Sequence, residues 1–227
     1  MAKLKFGMIV TEGRNKIGGH VLSKNRAGAY VRTKVTPVNP QTSYQVNVRA
    51  SIANLASSWR GLATGLRESW NSAVKDYVHT DIFGDKVTPS GFNLFMKLNQ
   101  NLYLVNLPAI TAPPLPVAVT AFTSLSVAIA KGAGTAIATA AATIPAAETV
   151  IMFATPGISA GKFFVKSQFR KIGVFTTGTA LDFAAMYTAK FGTIPAAGLK
   201  VFIKTVHVNE TTGQAGQHNL ASTIVVA

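Results

Sequence analysis

The stretch from Leu107 to Pro116 holds four of the chain's ten prolines, and the hydrophobic pattern changes period across it. Proline fixes φ and withholds an N–H, so this run reads as a stiff linker that neither a helix nor a ladder strand crosses. Before it, apolar residues recur every three or four positions; after it, every two. A length of 227 residues leaves room for two units of ordinary domain size on either side. The pattern predicts an α+β protein: a basic extended arm with a β-hairpin over residues 1–38, a three-helix module over 39–106, the linker over 107–116 and an all-β sandwich over 117–227.

In the arm, Asn25-Arg26-Ala27-Gly28 interrupts the run from Val21 to Val35 and offers Gly28 for the positive φ of a hairpin turn. Strand alternation then sets Tyr30, Arg32 and Lys34 on one face and Ala29, Val31, Thr33 and Val35 on the other, and Pro37 and Pro40 end the strand. Asn39 as cap and Pro40 as first helical residue predict a helix start, followed by an apolar stripe of Tyr44, Val48, Ile52, Leu55 and Trp59 that Gly61 stops. Thr64 is the expected cap of a second helix, striped by Leu66, Trp70, Ala73 or Val74, and Tyr77. Thr88-Pro89-Ser90 opens a third helix running to about Val105. Its apolar residues, from Phe92 to Tyr103, surround it, which demands burial on most sides.

Beyond the linker, period-two pairs mark strands: Val117/Val119, Leu125/Val127/Ile129, Ile137/Thr139/Ala141, Val150/Met152, Phe163/Val165, Val201/Ile203 and Val206/Val208. Turns are expected at Lys131-Gly132-Ala133-Gly134 and Thr155-Pro156-Gly157. The low-complexity run Ala130 to Ala147 has the propensity of a helix but the neighbours of a strand, and is read as an edge or flat packed strand. Leu199–Val208, the turn Asn209–Gln214 and Ala221–Val226 make a terminal hairpin. That hairpin resembles the closing pair of a fibronectin type III or immunoglobulin-like sandwich, with no cysteine for the disulfide of true immunoglobulin domains.

Charge narrows the function. Charged residues form 13% of the sequence against 48% hydrophobic, about half the charge of an ordinary soluble domain, which points to an exterior covered by neighbours. From Lys3 to Lys34 eight basic residues stand against Glu12 alone, a net of +7 out of the chain's +14. Such an arm can dock on an acidic protein, lie along a phosphate backbone or form a solvated face. The absence of cysteine rules out disulfides and thiolate metal sites. No export signal is read at the N-terminus, and no stretch reaches the ~20 apolar residues of a membrane span.

Residues for catalysis are scarce. His20, His79, His207 and His218 are scattered, with no i, i+4 pair to seat a metal. His79, Asp81 and Asp85 supply too few oxygens for a hard cation. Gly13 to His20 has the gap of a P-loop but lacks its Lys-Ser/Thr ending. No catalytic, metal or cofactor residue is assigned, and the chain is not expected to be an enzyme.

Four phrases in order, Lys24–Arg32, Val38–Thr42, Ser58–Leu62 leading to Arg67–Asn71, and Ser90–Phe95, resemble a group of phage and prophage virion structural proteins. The resemblance implies a particle component located in the virion, capsid-associated, connector or tail, with other virion proteins as partners, homo- or hetero-oligomerisation, and possible contact with packaged DNA. It implies no cofactor, membrane or catalytic group. The candidate interface residues are Lys24, Arg26, Tyr30, Arg32, Lys34, Tyr44, Trp59 and Trp70, the two tryptophans having the alternative of simply joining two helices in one core. A nucleic-acid-binding protein using the basic arm is the second reading, and a surface or carbohydrate-binding sandwich a third.

Overall fold

A computed structural model describes residues 2–8, 12–36, 38–131 and 136–227. Pro37 and the Gly132-Ala133-Gly134 turn expected from sequence lie outside them. The architecture is α+β, with four helices and several antiparallel sheets among the described residues.

The arm folds as a four-stranded sheet. Strands β1 (Ala2–Lys3), β2 (Asn15–Ile17), β3 (His20–Asn25) and β4 (Gly28–Thr33) lie in the order β1-β4-β3-β2. The β3–β4 turn closes as its residues dictate: Gly28 takes φ 106° and the Asn25 side chain accepts from the Ala27 N–H at 2.9 Å. No described residue from 2 to 50 is buried.

Helix α1 (Ser43–Gly61) starts later than the Asn39-Pro40 reading. Thr42 is the cap, its hydroxyl accepting from the Gln45 N–H, while Asn39 instead accepts from Arg49 Nη2 at 2.8 Å. Helix α2 (Thr64–Ala73) is preceded by Ala63 with no side-chain cap, so Thr64 is its first residue and not its cap. It runs into a 3₁₀ turn, Val74–Tyr77. Helix α3 (Gly91–Leu104) is capped by the Ser90 hydroxyl, which accepts from the Asn93 N–H. Between α2 and α3, β5 (His79–Thr80) and β6 (Lys86–Val87) form a small hairpin.

Leu55, Trp70, Val74, Leu94, Phe95 and Leu98 form the helical core. Each such side chain contributes about 1.5–3 kcal/mol by leaving water. Burial of α3 is less complete than its composition demands, because Phe92 and Tyr103 stay exposed. The proline-rich segment is strapped across this core: Asn99 donates to the Phe95 and Ile110 carbonyls and accepts from the Ile110 N–H, Trp70 Nε1 donates to the Thr111 carbonyl and Tyr77 Oη to that of Pro114.

The C-terminal half contains two antiparallel sheets. One joins β7 (Ser126–Lys131), β8 (Ala136–Ala141) and β11 (Leu181–Asp182) in the order β11-β8-β7. The other joins β9 (Glu148–Ala154), β10 (Arg170–Phe175), β12 (Lys200–Asn209) and β13 (Ala215–Ile224) in the order β10-β9-β12-β13. Ile129, Leu181, Met152, Phe175, Ile203 and Tyr187, from both sheets and from helix α4 (Ala184–Phe191), share one core. The low-complexity run yields β8, paired on both sides and thus not an edge strand.

Two expected strands differ. Val117 to Phe122 forms no strand; it is tied to β13 by side chains, Gln214 and Asn219 replacing ladder partners at Val117 and Phe122. Phe163/Val165 lies in the loop that links the turns closed by Ser159–Lys162 and Val165–Gln168, with Val165 and Phe169 folded over Phe202. Val201/Ile203 and Val206/Val208 belong to one strand, β12, in keeping with the Leu199–Val208 strand of the expected terminal hairpin, whose second strand, β13, starts earlier than Ala221. Strand β10 and helix α4 have no counterpart in the sequence reading.

The two halves meet where the β12–β13 turn touches α3. Gly213 takes φ 68°, and a Cβ there would land on the Leu98 carbonyl oxygen and within 3.0 Å of Leu102 Cγ. Asn101 Nδ2 donates to the Gly213 carbonyl at 2.8 Å, and Gln214 Nε2 donates to Tyr77 Oη at 2.8 Å. Nearby, Val105, Ile151 and Val208 pack the end of α3 against the outer face of the four-stranded sheet.

Candidate functional site

Strand register sorts the arm's candidate residues. Tyr30 and Arg32 stand opposite Ser23 and Val21, and Lys3 of β1 stands opposite Tyr30, so these share one face. Lys24, opposite Ala29, belongs to the other face with Leu22 and Val31. Arg26 occupies the turn, and the Lys34 N–H donates to the Gly19 carbonyl just beyond β4. The cations are thus spread over both faces and the tip. Lys24 lies 3.6 Å from Glu12, which Arg14 also approaches at 2.9 Å. The Arg14 guanidinium and, less, the Lys24 ammonium hold the Glu12 carboxyl below its ordinary value.

The arm is fastened by the β5–β6 loop. Lys3 Nζ donates to Asp81 at 2.6 Å, and Lys5 pairs with Asp85 at 2.7 Å with Phe83 beneath it. Asp81 also accepts from the N–H groups of Phe83 and Asp85, so its side chain both closes the loop and receives the arm. The Lys3 hydrogen bond, aided by these amides, keeps the Asp81 carboxyl below the usual aspartate range, and Asp85 raises Lys5. The carboxylates considered as cation ligands are therefore engaged by lysines. No group of three or more His, Cys, Asp or Glu capable of holding a metal occurs among the described residues.

The aromatic candidates separate. Trp70 is fully buried, edge-on to Phe95 at 5.4 Å, and belongs to the helical core. Trp59 is half-buried against Phe92 and Phe95. Tyr30 is half-buried in the arm sheet. Tyr44 is exposed at the start of α1, where Lys190 of α4 lies 6.0 Å from its ring.

His207 is placed on the inner face of β12, fully buried, with Nδ1 2.7 Å from Glu148 Oε2 and the Phe122 ring edge-on at 4.2 Å. The pair sits inside the core and presents no surface to a ligand.

A second cationic cluster has no counterpart in the candidates drawn from sequence. Between Lys162 and Lys204 seven cations stand against Asp182 alone, with Phe163, Phe164, Phe169, Phe191 and Phe202 among them. The fold gathers many of these on the outer face of the four-stranded sheet. Their count is readable in the sequence; their meeting depends on strand register. No protein-family model, curated protein or solved structure matches the chain.

Proposed function

We propose that this chain is a structural component of a phage particle, capsid-associated, connector or tail, acting through protein–protein contacts of its N-terminal sheet and α1. The observation that carries the reading is the arm's want of a core. Each ordered residue costs about 1–2 kcal/mol of backbone entropy, yet no described residue of the arm is buried. Within the chain the offset comes from two lysine–aspartate pairs and from Phe6 and Leu22 closing over Gly13. A neighbouring subunit supplies the remaining burial. The surface offered to it includes Val35, Val38, Tyr44, Val46 and Ile52, all exposed. Short edge strands β1 and β2 add unpaired backbone on both sides of the sheet. The virion resemblance falls on this same N-terminal half.

The C-terminal half is, in this reading, an immunoglobulin or fibronectin III-like sandwich. In support, its three- and four-stranded sheets follow the order A-B-E and C′-C-F-G when β7 to β13 are lettered in sequence.

A nucleic-acid-binding role for the arm is the second reading. It is favoured by Lys16, Arg26, Arg32 and Lys34, which form no ion pair among the described residues.

Quantitative mass spectrometry of purified particles tests the first reading: the chain is expected at a fixed, stoichiometric copy number. Sedimentation of the chain with and without residues 1–38 is expected to show loss of association on deletion. A monomer in both forms, absent from particles, refutes it.

A further inference from the structure

The outer face of the β10-β9-β12-β13 sheet carries a cross-strand row of Lys171, Phe153, Lys204 and Leu220, each directly opposite the next. Lys204 Nζ lies 4.6 Å from the Phe153 ring centre and 5.3 Å from that of Phe169. Four residues along β12 and on the same face, Lys200 Nζ lies 4.2 Å over Phe163 and 4.9 Å from Phe202. Phe163 and Phe164 are 74% and 79% exposed, an unusual state for two adjacent phenylalanines.

Two clefts open here and share Phe169 as a wall. One, of about 600 Å³, lies between Tyr44 of α1, the sheet and α4, and is lined by Arg170, Lys171 and Lys190 among its rings. The other, of about 400 Å³, runs between Phe163, Phe164, Lys166 and Leu220. No carboxylate lines either cleft. Of the acids nearest this sheet, Glu148 is buried with His207, and Glu210, in the turn after β12, accepts from Thr149 Oγ1.

We infer that this aromatic and cationic face binds single-stranded nucleic acid. Three observations select that occupant. A second copy of the chain lacks the acidic patch needed to neutralise the face, its eight carboxylates being few and mostly engaged. Lysine is depleted at protein–protein interfaces and enriched where phosphates bind, which sets an acidic protein second. Exposed rings bordering concave clefts stack with unpaired bases, whereas a duplex hides its base faces. The inference does not rest on the particle reading, since every residue it invokes except Tyr44, which borders one cleft, belongs to the opposite half of the chain.

Fluorescence anisotropy with a labelled oligothymidylate, compared with a duplex of equal length and with polyglutamate as competitor, tests it. Binding to the single strand is expected to fall steeply with salt and to weaken about tenfold or more in Phe163→Ala/Phe164→Ala. Because both rings project into solvent, that variant should keep the native circular dichroism. Lys200→Gln/Lys204→Gln should weaken binding and flatten the salt slope, while Lys24→Gln/Arg26→Gln/Arg32→Gln should leave it unchanged. The inference is overturned if the oligomer does not bind, if the phenylalanine variant binds as well as the native chain, or if the duplex binds equally. It is overturned too if the arm variant loses binding, or if polyglutamate competes as well as oligothymidylate, which would assign the face to an acidic protein.

Discussion

Gly213→Ala probes the joint between the two halves. The residue sits at φ 68°, where an L side chain costs about 1–2 kcal/mol. The added Cβ meets the Leu98 carbonyl, backbone in the middle of α3 that cannot swing aside as a side chain would. The turn must therefore withdraw, at an overpacking cost of about 1–3 kcal/mol. Withdrawal also strains the 2.8 Å bond from Asn101 to the Gly213 carbonyl, worth about 1 kcal/mol. The sum is roughly 3–6 kcal/mol, a large part of a domain's stability.

Gly178→Ala is the matched control: φ is 78° but nothing lies within 4 Å of the new Cβ, so only the backbone cost applies. Urea unfolding followed by tryptophan fluorescence and by circular dichroism measures both variants, since both tryptophans lie in the helical half. Gly213→Ala should unfold at clearly lower urea than Gly178→Ala, and its two probes should separate as the joint loosens. Equal losses in the two variants would refute the claim that α3 and the β12–β13 turn are held in contact.

Other outcomes follow from single contacts. Asn99→Ala removes the side-chain partner of the Ile110 N–H and of the Phe95 and Ile110 carbonyls in a site 1% exposed, and should cost about 2–4 kcal/mol in urea unfolding, with the Ile110 and Thr111 amides more open to hydrogen exchange. Asp81 has a lowered carboxyl pKa, so its stabilisation of the arm is complete above the usual value of 3.8 and lost as pH falls through the lower folded value; proteolysis of residues 2–8 should accelerate in that range, and Asp81→Asn should show no such step. Tyr187, buried with its hydroxyl donating to the Thr155 carbonyl, is pushed up to about 12 by desolvation, so stability should fall as pH rises from about 10 to about 12, and Tyr187→Phe should remove the last step of a phenolate absorbance titration.

The elements legible in the sequence are those whose own residues decide them. The stripes Leu55–Trp59 and Trp70–Val74 and the turn Asn25–Gly28 needed no distant partner, and α1, α2 and the β3–β4 hairpin follow them. Strands β9 and β12 are marked by apolar residues because the inner face of each meets the shared core while the end of α3 covers part of the outer face. Strand β10 escaped reading because a bulge between Lys171 and Gly173 breaks its alternation. Helix α4 is only eight residues long, too short for a stripe, and its local signals are modest: the Asp182 carboxylate accepting from the Ala184 N–H, and Gly192 at its end. At α1 the sequence points to Asn39 as the cap, whereas Thr42 fills that place and Asn39 is held by Arg49 from the second turn of the helix. For the candidate site, sequence marks which residues are cationic or aromatic; it does not tell Trp70 in a core from Tyr44 on a surface, nor bring Lys171, Lys204 and Phe153 into one row.

The charge distribution constrains how such a chain can assemble. Of eight carboxylates, Glu12, Asp81 and Asp85 pair with arm cations, Glu148 with His207, while Asp182 accepts from the Ala184 N–H at the start of α4 and Glu210 accepts from Thr149. Glu68 and Asp76, at α2 and the turn after it, are left to face solvent. Two identical chains therefore repel through both the arm and the sheet face at low salt, and hydrophobic contact between copies must work against that repulsion. Added salt shortens the Debye length to about 8 Å at physiological strength and removes most of it, whereas the same salt weakens attachment to any polyanion. Self-association through Val46 and Ile52 should thus strengthen between low and physiological salt while oligonucleotide binding declines. If sedimentation and anisotropy instead moved in the same direction with salt, one surface would be serving both contacts, and the division between an apolar assembly face and a cationic sheet face would be wrong.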